Sequence, residues 1–294
     1  MQLFLGEYEG SMLYLKIKSI GIAIYILLIE IWTIATRALY KKKQVLSSED
    51  LAAAKKLRDD GYVVIPGYYD SSKVESLSEV IDKYMKDEQG DFDHINRVSY
   101  YRCPRALARW DGGVFRLFGA DAIHHLINSY RNDKRLKSIV EEAFSVPMSC
   151  DITMVQENLP IGAETRGFHI DMYAPLECKA FLFLTDVKKN EDGPYSLVRG
   201  SHRKFWWRLG NFISRSLRGN EPVTSVDNLS AVFEKDVVKL LLDKGTVVIS
   251  CQQAIHRGWK HTTGRRIAIV NYYCAHLYGQ NLNKNIEKRL GYNY

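Results

Sequence analysis

The spacing of apolar positions changes along this chain, and the changes divide it into elements. Residues 20–36 form an apolar run of 17 with a single charge, Glu30. Beyond it, Leu51, Ala54 and Leu57 recur at helical spacing. They lie between Ser47-Ser48-Glu49-Asp50, which resembles a capping box, and Gly61, a stop signal, so a helix is predicted there. A strand follows at 62–66, then a second amphipathic helix at 71–87 carrying Val74, Leu77, Val80, Ile81 and Tyr84 on one face. Residues 90–118 have no clean period and mix Tyr100, Tyr101, Arg102, Arg105, Arg109 and Trp110, which predicts a long loop lining a substrate entrance. Helical spacing returns over 121–144 and strand character over 146–156.

From there the pattern is nearly all β. Residues 150–156 alternate, whereas 179–187, 245–251 and 266–273 are buried-strand runs rich in Val, Ile and Phe. Helices first and strands later predict an α+β domain whose strands, separated by turns, close into a barrel or sandwich. An insertion at about 204–240, rich in Arg and Trp at its start and helical near its end, separates two of those strands. The expected organisation is a hydrophobic N-terminal helix in 1–45 and a single β-rich domain in 46–294.

Hydrophobic content of 46% with 26% charged residues describes a globular chain able to bury a core. The run at 20–36 has three readings: a membrane anchor, a helix lying at an interface or in a groove, and a helix buried against the domain itself. Its length is at the lower limit for crossing a bilayer, and Glu30 would be costly at mid-membrane. Lys16 and Lys18 precede it, and Arg37, Lys41, Lys42 and Lys43 follow. If the run spans, that lysine cluster keeps residue 40 onward in the cytoplasm.

Five cysteines, at 103, 150, 178, 251 and 274, include no C-x-x-C pair, so neither a disulfide framework nor a zinc knuckle is indicated. This usage fits a reducing compartment, with Cys178 and Cys251 as small apolar fillers. Of the net +7, residues 1–45 supply six basic and three acidic groups, which leaves 41 − 6 = 35 against 34 − 3 = 31 elsewhere, or +4. That bias suits an anionic substrate or a membrane surface and is too small to indicate nucleic acid.

The candidate chemistry centres on Gly167-Phe168-His169-Ile170-Asp171-Met172-Tyr173. On an extended strand His169 and Asp171 project to one face, and Phe168 and Ile170 to the other. An imidazole and a carboxylate placed this way need one more ligand to form the 2-His-1-carboxylate face of a non-heme iron site, and His256 is the candidate.

At Asn190-Glu191-Asp192-Gly193-Pro194-Tyr195-Ser196-Leu197-Val198-Arg199-Gly200-Ser201-His202-Arg203 the chain resembles a signature of the phytanoyl-CoA dioxygenase family. These are Fe(II)- and 2-oxoglutarate-dependent oxygenases with a double-stranded β-helix fold. The order of His-x-Asp, a Lys-x-Phe-Leu-x-Leu-Thr-Asp-Val strand, this turn, a distal histidine and an arginine opening the last long strand is also similar. With Gly61-Tyr62-Val63-Val64-Ile65-Pro66-Gly67 the likeness covers about 47–275.

The resemblance implies His169, Asp171 and His256 as iron ligands. It implies Arg266 as the partner of the co-substrate's distal carboxylate, with Arg265 as the alternative on the opposite strand face. Gln156 and Lys179 match positions where the family places further co-substrate contacts, and Tyr173 and Trp259 stand where substrate can be faced. His202 is expected to make a structural hydrogen bond; His261 and His276 have no argument for ligation. Related halogenating enzymes carry a small residue in place of the carboxylate, so Asp171 points to hydroxylation. The implied reaction consumes dioxygen, releases succinate and carbon dioxide, and hydroxylates an unactivated C–H bond of a small or lipid- or envelope-linked substrate. Two other readings stay open: a β-helix that binds without catalysing, and a cupin-type iron enzyme that uses no 2-oxoglutarate.

Overall fold

A computed structural model of the chain describes residues 12–40, 45–88, 98–100, 107–111, 114–122, 124–160, 167–171, 176–217 and 235–275. After a long N-terminal helix, α1 (Met12–Leu39), come α2 (Ser48–Asp60), β1 (Tyr62–Ile65) and α3 (Ser71–Glu88). Ser47 caps α2 by accepting from the Asp50 N–H, and Gly61, at φ +85°, closes it by donating to the Leu57 carbonyl.

The stretch expected to be a loop contains three short strands, β2 (Val98–Tyr100), β3 (Leu107–Asp111) and β4 (Val114–Phe118). Phe115 and Leu117 of β4 are buried outward among helices, whereas Arg116 and Phe118 point the other way. A strand with an arginine on an enclosed face shows neither apolar alternation nor a continuous apolar run, so its period was hidden. The helical span at 121–144 is two helices, α4 (His125–Arg131) and α5 (Lys134–Phe144), broken where Asp133 caps the second.

Next come β5 (Met148–Asn158), β6 (Glu177–Phe183), β7 (Tyr195–Val198), α6 (Phe205–Leu217), β8 (Val237–Lys239), β9 (Val247–Cys251), β10 (His256–Gly258) and β11 (Arg266–Ala275). The insertion is helical at its start, in α6, and extended at its end, in β8; residues 218–234, on which most of the expected late helix falls, lie outside the described residues. Trp206, Trp207 and Arg208 lie inside that helix, whose amphipathic spacing was obscured by the two adjacent tryptophans.

All described strand pairs are antiparallel. One sheet has the order β1-β9-β6-β11-β5-β4-β3-β2 and the other β10-β7-β8. Neighbours distant in sequence mean that the chain shuttles between sheets, so ligand groups from separate segments can meet. The outer face of the large sheet packs against α2, α3 and α5 through a cluster that includes Leu57, Leu77, Leu136, Ile139, Val155, Ile249 and Ile269. Each such side chain contributes about 1.5–3 kcal/mol when fully buried. The inner face meets the small sheet through Met154, Phe183, Val248, Ala268 and Val270 against Leu197, Leu240 and Leu242.

Among the described residues no helix is long and apolar enough to cross a membrane. Instead α1 lies along the protein, with Ile26 and Ile29 in one cluster with Phe212 of α6 and with Ile170, Val198 and Ile255. Of the three readings of 20–36, the structure gives a helix docked on the domain by one face, and nothing among the described residues supports a crossing anchor.

Candidate metal centre

Alternation sets the ligand side chains. Phe168 and Ile170 pack outward beside α1 and α6, leaving His169 and Asp171 to point between the sheets. The same holds across the gap, where Ile255 packs outward and His256 inward. The two segments are stitched together by the backbone: the N–H of His169 donates to the His256 carbonyl and the reverse, both at 2.9 Å. The Asp171 N–H donates to the Gln252 carbonyl at 3.2 Å.

The three side chains offer ligand atoms that all lie within 4.8 Å of one another. Asp171 Oδ1 is 3.3 Å from His169 Nε2, and Oδ2 is 3.6 Å from His256 Nε2. The ring centroids of the two histidines are 4.3 Å apart. On each imidazole Nδ1 is committed to a carbonyl, Gly167 O at 2.7 Å and Ala254 O at 2.9 Å. An Nδ1–H donor fixes the tautomer that leaves the Nε2 lone pair facing the shared space.

Lys179, which the family resemblance places as a co-substrate contact, is bonded to the carboxylate of Asp171. Its Nζ donates to Asp171 Oδ2 at 2.5 Å and lies 4.6 Å from the centre of the Tyr272 ring. Burial works to raise the Asp171 pKa, but the Lys179 ammonium outweighs it and holds the group ionised, well below the usual carboxylate range. Burial works to lower the Lys179 pKa, and the Asp171 carboxylate, with smaller help from Tyr272 and Glu177, drives it above the ordinary lysine value. Both therefore stay charged at neutral pH.

The two arginines at the start of β11 part company. Ala268, Val270 and Tyr272 belong to the inner layer and Ile267, Ile269 and Tyr273 to the outer one, so period two turns Arg266 inward and Arg265 outward. Arg265 is tied down on the outside, with Nε on Glu157 Oε1 at 2.6 Å and Nη1 on Asp82 Oδ1 at 2.8 Å. Arg266 is buried, and no carboxylate among the described residues pairs with it. Burial alone pushes its pKa down to about 10, which leaves it protonated at neutral pH.

Gly193, at φ +67°, makes room for this guanidinium: a Cβ there would lie 2.9 Å from Arg266 Nη1, from His261 Cβ and from the Trp259 carbonyl. Gln156 is paired across the sheet with Ala268 and so shares the inner face, where its Nε2 donates to Asn158 Oδ1 at 2.9 Å. The remaining candidates are walls or lie elsewhere. Trp259 is stacked between Lys239 and Arg257. The His202 ring bonds the Arg58 carbonyl at 2.9 Å, a structural role. Cys178 and Cys251 are buried cross-strand neighbours. Tyr173 and His276 fall outside the described residues.

The sequence matches no family model and no curated protein. Solved structures are similar to it. They include the non-heme alpha-ketoglutarate-dependent carbocyclase SnoK from nogalamycin biosynthesis, at 19% identity and a TM-score of 0.57 over 78% of this chain and 84% of that one. The epimerase SnoN, in complex with Fe3+, alpha-ketoglutarate and nogalamycin RO, aligns at 16% identity and a TM-score of 0.57 over 78% and 84%. HygX from Streptomyces hygroscopicus, with nickel and 2-oxoglutarate bound, aligns at 18% identity and a TM-score of 0.53 over 80% and 89%.

This chain shares the fold of these 2-oxoglutarate-dependent enzymes. Within that fold, several residues escaped the sequence reading. Tyr195, whose ring lies 5.5 Å from that of His256 and whose hydroxyl meets Ser250 Oγ at 2.9 Å, forms a wall of the centre. Gly193 and His261 form the wall beside Arg266. Both Tyr195 and Gly193 stand in the Asn190–Arg203 phrase, so the signal was present but carried no geometry.

Proposed function

We propose that the chain is an Fe(II)- and 2-oxoglutarate-dependent oxygenase of double-stranded β-helix architecture that hydroxylates an unactivated C–H bond. The observation that carries this reading is the convergence of His169, Asp171 and His256 with both Nδ1 atoms already spent on carbonyls. The donor set fits a divalent ion of the iron class: two neutral imidazoles and one carboxylate leave it residual charge and open positions on one side. Donors about 2.1 Å from an octahedral ion and at right angles are about 3 Å apart. The 3.3 and 3.6 Å separations are close to that spacing.

With ferrous iron, 2-oxoglutarate and dioxygen bound, the cofactor chemistry supplies an oxidant strong enough to break a C–H bond, with succinate and carbon dioxide released. The chain's own share is positional. Lys179 keeps Asp171 ionised and fixes one of its oxygens. Arg266 presents a fixed cation between the sheets, suited to a carboxylate through two parallel hydrogen bonds. Gln156 adds an amide on the same face.

The inward turn of Arg266 favours this reading over a cupin-type iron enzyme without 2-oxoglutarate, and the complete His169–Asp171–His256 set favours it over a silent binding module. The substrate is a small or lipid-linked molecule; SnoN and HygX hold nogalamycin RO and hygromycin B in their complexes.

Adding ferrous iron and 2-oxoglutarate to the anaerobic protein is expected to produce a visible charge-transfer band, and admitting oxygen to release succinate. His169→Ala is expected to abolish both. A wild-type protein that shows neither signal, or a variant that keeps both, would overturn the assignment.

A further inference from the structure

Helix α1 has two apolar faces, and the domain covers only one. Ile26, Ile29 and Thr33 are buried, whereas Ile20, Ile24, Leu28, Ile31 and Ile34, each more than half exposed, recur at intervals of three and four along the opposite side. Ala35 and Ala38 continue that stripe, and the one charge of the run, the half-buried Glu30, sits to its side between the two faces. On α6, which packs beside α1, Trp206 is 73% exposed. An ordinary surface helix turns a polar side to water, so this face is built for an apolar surrounding.

The chain flanking the stripe says which surrounding. Lys16 and Lys18 precede the apolar run and Arg37, Lys41, Lys42 and Lys43 follow it, six basic residues against three acidic ones in the first 45. A second copy of the chain, docked parallel or antiparallel on this stripe, would bring like-charged ends together. An anionic lipid surface opposes them with the complementary charge and offers the exposed tryptophan an interfacial setting.

We propose that the outer face of α1, with Trp206 of α6, lies in the plane of an anionic membrane surface. The helix rests on the bilayer by one side and carries the protein on the other, the geometry of an interfacial rather than a crossing helix. Its buried side shares a cluster with Ile170 and Ile255, the neighbours of Asp171 and His256. The candidate centre thus stands about one helix diameter, roughly 10 Å, above the lipid. Combined with the oxygenase reading, this places the substrate among lipids or lipid-linked molecules, although the docking itself does not depend on that reading.

The test is cosedimentation of the full chain with vesicles of phosphatidylcholine doped with phosphatidylglycerol, in the absence of iron and 2-oxoglutarate, so that failure here is separate from failure of the oxygenase assignment. Binding is expected to exceed that to pure phosphatidylcholine by about tenfold and to fall with salt. The neutral triple variant Ile24→Gln, Leu28→Gln, Ile31→Gln changes only exposed positions and should melt like wild type while losing vesicle binding. Trp206→Gln should weaken binding on its own. Wild-type protein that stays in the supernatant, a triple variant that still sediments, or a wild-type dimer that the triple variant converts to monomer would overturn the proposal.

Discussion

The central strands of the eight-stranded sheet are buried on both sides, yet their two faces are made of different chemistry. The outer face, against α2, α3 and α5, is mainly apolar; its buried polar groups are paired with one another, as Thr153 Oγ1 is with Asn271 Oδ1, and its exposed margin is clamped by ion pairs such as Arg265 with Asp82. The inner face places Lys179, Tyr272, Gln156 and Arg266 in the same enclosed space as Met154, Val248 and Val270. Charges taken out of water are costly unless partnered. Lys179 has its partner in Asp171, while Arg266 has no carboxylate partner among the described residues. The outer face is satisfied within the protein, and the inner one holds a buried cation suited to the ligand proposed above.

The sharpest way to break this contrast is at Asp171. Asp171→Ala removes a ligand and leaves the Lys179 ammonium buried alone, so ferrous binding is expected to fall by about a hundredfold or more, with turnover reduced to background. Equilibrium dialysis with iron reads the first and succinate release the second; retained iron affinity would place the metal elsewhere. The adjacent arginines should separate next. Arg266→Ala is expected to raise the 2-oxoglutarate KM by about two orders of magnitude, and Arg266→Lys to recover part of that. Arg265→Ala should leave KM unchanged and cost about 1–2 kcal/mol of stability, because Glu157 is buried while Arg265 is partly solvated. Equal KM effects from the two would refute the division of faces.

On the outer layer, Ile139→Ala is expected to cost about 2–4 kcal/mol in a denaturant titration, with iron and co-substrate affinities unchanged. The smallest effect concerns His202, which lies under α2 with the Phe144 ring edge-on at 6.4 Å. Burial, aided by Arg208 and Arg203 against the Arg58 carbonyl and Asp60, pushes its pKa down to about 4. A histidine whose folded pKa lies below its unfolded value of about 6.5 loses stability as pH falls through that window. Between pH 6.5 and 5.5 the loss is about 1 kcal/mol. Melting curves of wild type and His202→Gln should therefore converge as the pH drops, and parallel curves would exclude the histidine as their cause.

Where a residue's environment followed from local alternation, the sequence was enough. Strands β5, β6, β9 and β11 were legible, as was the shared face of His169 and Asp171, because period two is a property of the chain itself, whereas the short β7, β8 and β10 carry too few residues to show a period. The division between Arg265 and Arg266 needed the register of β11 and could not be read from an Arg-Arg pair. Lys179 was placed on the right strand, but its ion pair with Asp171 could not be read, because nothing local reveals that Asp171 lies across from it. Strands β2 to β4 were missed because Arg116 faces an enclosed layer, where a strand reading expects apolar residues. The fate of α1 depended on Phe212, Ile170 and Ile255, all far away in the chain, and apolar composition alone could not tell a protein surface from lipid.

The reciprocal backbone bonds between His169 and His256 join strands that are far apart in the chain and stay separate until the sheet crossovers have closed. Such long-range pairings form late, since loop-closure entropy must be met first. Iron uptake during refolding from denaturant should consequently lag behind the recovery of helical circular dichroism, making the ion a clock for the final closing of the two sheets.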